Sequence, residues 1–191
     1  MVEEPDLIVR AKHGDVQAYE ALVQQHETLA FRAAYLITRD EHDAADIAQD
    51  AFVRAYHALG TFRADAPFRP WLLRIVTNLA LNRLQANRRR LNMTERYTRQ
   101  AIIETGQLSI DGLVIQRDQR QRLLQAVGQL SPVQQALISL RYFLELPEAE
   151  VAATLKIPLG TVKSRLHRTL ARLREIIQAD YADLIDLVTH G

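Results

Sequence analysis

The sequence predicts an all-α protein of two small helical domains joined by a linker, the second a four-helix domain with a helix-turn-helix. Apolar residues recur at helical spacing, and no long alternation of Val, Ile and Thr indicates a β-strand. Glycine and proline are scarce and lie mostly at the ends of the periodic segments. The periodicity fades over 94–111, which is where the linker is expected.

Four helices are predicted in the first domain, residues 1–92. Asp6 and Asp15 can cap the first two through their side-chain oxygens. The third is expected over 43–59, ahead of a loop. Pro70 suits the first turn of the fourth helix, because its missing amide would be unpaired there in any residue.

The second domain begins where helical periodicity resumes, near residues 115–127. Ser131 and Gln134 form a capping box that starts the next helix. A short helix over 147–155 and a long basic helix over 161–178 follow. The predicted boundaries are 93–116 for the linker, 117–180 for the second domain and 181–191 for a tail.

Charge is segregated along the chain although the net charge is only +1. Residues 1–58 contain 11 acidic and 5 basic residues, whereas 59–100 contain 9 arginines and 2 acids. A second basic cluster, 156–174, contains no acid. Two basic clusters are expected in a protein that contacts a polyanion in two places. Two solvated helix faces explain the charges equally well.

Several classes of protein are excluded or disfavoured by composition. The absence of cysteine excludes disulfides, thiolate metal sites and a cysteine nucleophile. The six histidines form no ligand or catalytic set, and no glycine-rich phosphate loop is present, so no enzyme activity, metal or cofactor is expected. Neither a signal peptide nor a run of about 20 apolar residues is found, which predicts a cytoplasmic chain without membrane insertion.

Three carboxylates share one face of the third predicted helix. Asp43, Asp46 and Asp50 stand at positions i, i+3 and i+7. Such a cluster could hold a divalent metal, but no chelating loop or histidine pair supports that interpretation. A solvated face and a partner-binding face remain as alternatives.

The fourth predicted helix has a polar face of residue types that hydrogen-bond bases, preceded by a loop of aromatic and basic residues. Aromatic rings beside cations are typical of surfaces that stack unpaired bases. For Phe62 and Phe68, the residues alone favour a mini-core beneath the loop. The polar face comprises Arg74, Asn78, Asn82, Gln85 and Arg89.

Residues 147–174 have the arrangement of a helix-turn-helix: a short helix, a tight connection and a long basic helix. Thr161 can cap the second helix, and its exposed face mixes phosphate-seeking charges with side chains able to reach base edges. A solvated cationic helix is the alternative, but spacing, turn and basic face together favour DNA reading. The exposed residues are Lys163, Ser164, Arg165, His167 and Arg168.

Four stretches, in order, resemble three elements of bacterial RNA polymerase sigma factors of the extracytoplasmic-function (ECF) type. DIAQDAFVRAY at 46–56 resembles the family's polymerase-binding helix. ALGTFR at 58–63 and PFRPWLLRIVTN at 67–78 resemble its promoter-melting segment, and GTVKSRLHR at 160–168 resembles its recognition helix. The sequence departs from the family at Pro70, where Thr is common, and at Lys156, where Gly is common.

The resemblance implies a non-catalytic promoter-specificity subunit that binds the β′ clamp helices and β flap of core RNA polymerase, and promoter DNA both duplex and melted. The implied polymerase-binding residues are Asp43, Asp46, Gln49, Asp50 and Arg54. Those implied for melting and reading the minus-10 element are Phe62, Arg63, Asp65, Phe68, Trp71, Arg74, Asn78, Asn82 and Arg89. Those implied for the minus-35 element are Thr161, Lys163, Ser164, Arg165, His167 and Arg168.

The family also implies an anti-sigma factor, which could hold the chain at the inner face of the membrane. Two other classes stay open on the residues alone. A dimeric helix-turn-helix regulator would bind palindromic sites without polymerase, and a helical adaptor would use its basic faces on acidic proteins.

Overall fold

Every regular element in the described residues, 3–63, 66–94 and 117–181, is helical in the computed structural model. The all-α prediction is therefore confirmed. None of the helices in these ranges is long and apolar enough to span a bilayer. The helices are α1 (Glu4–Lys12), α2 (Val16–Thr38), α3 (Glu41–Ala58), α4 (Phe68–Thr94), α5 (Arg117–Gly128), α6 (Pro132–Ile138), α7 (Glu148–Leu155) and α8 (Leu159–Asp180).

Helices α1 to α4 form the first domain by packing their apolar faces together. The Asp15 side chain caps α2 by accepting from the Ala18 amide at 3.0 Å, as its sequence position predicts. α3 begins slightly earlier than predicted because Asp40 caps it, accepting from the Asp43 amide at 2.7 Å. α4 begins two residues before Pro70, so the proline still lies in the first turn, where no amide is needed.

Helices α5 to α8 form the second domain. The capping box at the start of α6 is present: the Ser131 hydroxyl accepts from the Gln134 amide, and the Gln134 side chain accepts from the Ser131 amide. α6 continues into a π-helical turn, Ser139–Phe143, which the helical spacing did not distinguish from an α-helix. α8 begins at Leu159, so Thr161 lies inside the helix and the predicted N-cap role is wrong.

The two domains pack against each other, with α7 lying on α4. Arg69 of α4 forms a two-point ion pair with Glu150 of α7. Arg88 donates to the carbonyl oxygens of Gly128 and Leu130 at 3.3 and 3.2 Å. A buried bond joins the Ser139 hydroxyl to the carbonyl oxygen of Leu36. The described part of the chain is therefore in a closed arrangement.

Candidate nucleic-acid and polymerase interfaces

The outward face of α3 presents most of the residues predicted to bind polymerase. α3 buries Ile47, Ala51 and Ala55 in the core, and its helical period turns the intervening side chains to solvent. Charge and hydrogen-bonding capacity therefore remain accessible along one side of α3. The exposed residues are Asp46, Gln49, Asp50 and Arg54.

Asp43 behaves differently from the other acidic residues of α3. Its side chain is only 15% exposed and is paired with the guanidinium of Arg83 on α4. Its second oxygen accepts from the Asn87 side chain at 3.0 Å. Both carboxylate oxygens are thus engaged within the chain, so Asp43 ties α3 to α4. Asp43 stays a predicted polymerase-binding residue, and in this arrangement its carboxylate is already paired within the chain.

An apolar groove of about 740 Å³ lies between α2 and α3, next to the acidic face. Phe31 and Phe52 line it, and so do Val53 and Tyr56, which are 51% and 44% exposed. Sequence reasoning missed this groove. The sequence feature that could have indicated it is the pair of large apolar residues on α3 that lie outside the buried stripe.

Tyr19 forms one wall of the groove and is tied to α3. Its hydroxyl donates to the carbonyl oxygen of Phe52 at 2.5 Å, and its ring meets that of Tyr56 edge-on with centroids 5.0 Å apart. Burial raises the pKa of Tyr19 to about 12, because the phenolate would lose its hydration. The hydroxyl that ties the groove wall to α3 therefore stays protonated to a higher pH than that of an exposed tyrosine.

The aromatic residues before and within α4 form a ring cluster beneath the loop. Phe62 is 4.7 Å from Trp71 and 5.8 Å from Phe68 between ring centroids, and the His26 ring lies 5.2 Å from Phe68. Phe62 and Phe68 are 5% and 0% exposed. Neither ring therefore has a free face on which an unpaired base could stack. Trp71 is half-buried, and the mini-core interpretation matches the packing.

The polar face of α4 is accessible even though α7 packs on the same helix. Asn78, Asn82 and Arg89 are exposed, and Arg74 is half-buried. The second domain therefore covers a different side of α4. Arg63 is also exposed, whereas the predicted site residue Asp65 lies outside the described residues.

α8 separates an apolar face from a basic one. It buries Val162 and Leu166 against the rest of the domain, and its other side carries the residues predicted to read DNA. Arg165 is half-buried and lines a recess of about 450 Å³ beside α6. Thr161 is also half-buried, and its carbonyl oxygen accepts from the Ser164 hydroxyl at 3.2 Å. The exposed residues are Lys163, Ser164, His167 and Arg168.

Two family models match the chain in the order of the two domains. The sigma-70 region 2 model matches residues 22–90, and the sigma-70 region 4 model matches residues 120–173. RNA polymerase sigma-H factor of Pseudomonas aeruginosa is 30% identical over 182 residues, covering 92% of this chain and 94% of the relative. The ECF sigma factor SigW of Bacillus subtilis is 30% identical, covering 88% and 93%.

The chain belongs to the ECF family of RNA polymerase sigma factors. The solved structure of CnrH in complex with the cytosolic domain of CnrY superposes on this sigma factor with a TM-score of 0.68. The two sequences are 27% identical, and the match covers 93% of this chain and 98% of the other. A sigma factor is a non-catalytic transcription initiation factor that gives RNA polymerase its promoter specificity. The dimeric regulator is not favoured.

Proposed function

We propose that this sigma factor divides promoter recognition among three exposed helix faces. The outward face of α3 and its adjoining groove bind core polymerase, α4 and the preceding loop hold the melted minus-10 element, and α8 reads the minus-35 element. The observation that supports this most strongly is that these helices are amphipathic. Each buries an apolar stripe and exposes polar or charged residues that match the family's motif, among them Gln49, Asn78 and Lys163.

The α3 surface has the anatomy of a protein-binding site. Exposed apolar side chains, Val53 and Tyr56, are bordered by the charged or polar residues Asp46, Gln49 and Asp50. Protein interfaces commonly have an apolar, aromatic-rich centre within a polar rim. A helical partner such as the β′ clamp helices would bury the apolar residues and pair its basic groups with the two carboxylates.

On α4, Asn78 and Asn82 can donate and accept hydrogen bonds with the edges of unpaired bases, and Arg89 can contact the backbone. Flipping a base out of the stack costs a few kcal/mol, which contacts on this face and the loop would offset. The buried Phe62 and Phe68 rings serve this site by supporting the loop from below.

On α8, the exposed cations Lys163 and Arg168 are suited to phosphates, and Arg165 is suited to a base edge because its partial burial restricts it. The segment 156–174 contains no acid that would repel the duplex. α8 therefore has both the positioning and the reading contacts that major-groove recognition needs.

Reading both elements at once requires the closed arrangement to open. A compact chain of this length has a radius of gyration of about 16 Å, hence a diameter of about 40 Å. Elements centred at minus 10 and minus 35 are separated by about 85 Å along straight B-DNA. A segment as long as 95–116 reaches about 75 Å when fully extended. The contacts of Arg69, Arg88 and Ser139 would break in that step.

An anti-sigma factor is the second partner that we propose. The CnrH structure also contains the cytosolic domain of CnrY. This chain matches CnrH over nearly the full length of both chains. If another part of such a partner spans the bilayer, the partner would keep this cytoplasmic protein at the inner face of the membrane.

Association with core polymerase tests the α3 surface. Asp50→Arg reverses an exposed charge on the outward face of α3 and leaves the core of the domain untouched. We expect it to abolish co-elution with core polymerase. Glu20→Arg is the matched control, since it reverses an exposed charge on α2 outside the groove lining. Retained association of Asp50→Arg, or equal loss in Glu20→Arg, would refute the assignment.

A further inference from the structure

Helix α1 precedes the segment that matches sigma-70 region 2, yet it contacts one end of the minus-10 loop directly and is linked to the other through His26 of α2. At one end, the Lys12 ammonium donates to the carbonyl oxygen of Phe62 at 2.7 Å, across 50 positions of sequence. At the other end, Glu4 Oε2 lies 2.8 Å from the Nε2 of buried His26, whose ring packs on Phe68.

The hydrogen bond from Lys12 is to a carbonyl oxygen that lies outside the helical hydrogen-bond pattern. Phe62 follows the 3-10 turn Leu59–Thr61 with extended dihedrals, φ −70° and ψ 135°, so its oxygen leaves the helical hydrogen-bond pattern. Its ring is buried in the aromatic cluster. A charged donor forms a stronger bond to such an oxygen than a neutral one. Lys12 thus fixes the peptide plane between Phe62 and the exposed Arg63.

Lys12 is itself well placed to hold this position. It occupies the last turn of α1, where the helix dipole favours a cation, and it is half-buried. Arg10, two residues earlier in the same turn, instead pairs with Asp15 at 2.9 Å and is 48% exposed. The two basic residues of α1 therefore have different partners: Lys12 binds the loop, and Arg10 binds Asp15 at the start of α2.

We infer that Lys12 is a positioning residue for minus-10 recognition: by holding the Phe62 carbonyl it sets the direction in which the loop presents Arg63 to an unpaired base. The inference rests on the proposed function of this loop. Lys12 acts through the backbone, so its removal should affect one base position and leave the number of phosphate contacts unchanged.

The test uses the holoenzyme, formed from core polymerase and the full chain, and a fluorescent single strand carrying the non-template minus-10 sequence of a promoter that it transcribes. Lys12→Met should weaken binding of this strand about tenfold or more, the effect expected for loss of one charged hydrogen bond. Lys12→Arg should retain most of the binding. Arg10→Met, which also removes one cation from α1, should stay within about twofold of wild type.

Two further readouts separate positioning from other roles. Replacing the bases of the strand one at a time by abasic sites should abolish the difference between Lys12→Met and wild type at one position. The salt dependence of binding should be unchanged, whereas a direct phosphate contact would lower the logarithmic slope by about 0.7 on single-stranded DNA. Lys12→Gln repeats the comparison if the Met variant is unstable.

Equal losses on every abasic strand, a reduced salt slope, or wild-type binding by Lys12→Met would overturn the role of Lys12. A different result refutes the underlying function. If the wild-type holoenzyme binds the minus-10 strand no better than a scrambled strand, the loop does not recognise that element at all.

Discussion

The ion pair between Arg69 and Glu150 joins the two domains and can be removed without altering any residue assigned to a recognition surface. Glu150→Gln keeps the side-chain volume and removes the charge. The two side chains are 41% and 27% exposed, so solvent screens their attraction and the pair contributes about 0.5 to 1 kcal/mol. The ratio of open to closed molecules should therefore rise about two- to fivefold.

The absence of cysteine allows this ratio to be measured with two spin labels on introduced cysteines. Gln24→Cys on α2 and Leu170→Cys on α8 place the labels at exposed positions in different domains. Pulsed electron paramagnetic resonance should show one dominant distance in the parent and an increased long-distance population in Glu150→Gln.

Glu148→Gln is the matched control for this experiment. Glu148 lies on the same helix, but its carboxylate is 3.9 Å from Lys163 within the second domain. It should leave the distance distribution unchanged. If both variants give the parent distribution, or both shift it equally, the ion pair does not hold the domains together.

Three further outcomes are expected. Lys156→Gly should raise the free energy of unfolding in urea by about 0.5 to 1 kcal/mol, because Lys156 has a φ of 55°; an unchanged midpoint would contradict the strain argument. The pKa of Tyr19 is raised from 10.0 to about 12, so between these values the folded state keeps a proton that the unfolded state loses. The free energy of unfolding should therefore fall as pH rises through that interval, and Tyr19→Phe should lessen the fall. Arg165→Ala should weaken promoter binding by about 1 to 3 kcal/mol at one base pair of the minus-35 element, whereas equal loss on all sequences would indicate a phosphate contact.

Most parts of the fold that depend on local chemistry were predictable, but the predicted cap at Asp6 is wrong, because α1 begins at Glu4 and contains Asp6. The cap at Asp15 and the capping box of Ser131 and Gln134 involve groups three residues apart, and the structure contains both. The apolar stripes follow from helical period in the same way. Residues 93–116, for which a linker is predicted, lie mostly outside the described residues, as does nearly all of the tail.

The parts that depend on tertiary packing were not predictable. Asp43 belongs to the same sequence pattern as Asp46 and Asp50, and only the approach of α4 brings Arg83 to it. The choice between a stacking surface and a mini-core for Phe62 and Phe68 also depended on what covers them. The groove between α2 and α3 exists only once two helices pack, although Val53 and Tyr56 were visible as misplaced apolar residues.

Promoter-directed initiation is the most direct test of the central claim. Run-off transcription from a library of genomic fragments should be compared with purified core polymerase alone and with core polymerase plus this sigma factor. We expect defined transcripts only when the sigma factor is present, with two shared elements upstream of their start sites. Absence of new start sites, with the protein alone still retaining duplex fragments, would contradict the account and indicate a regulator that acts without polymerase.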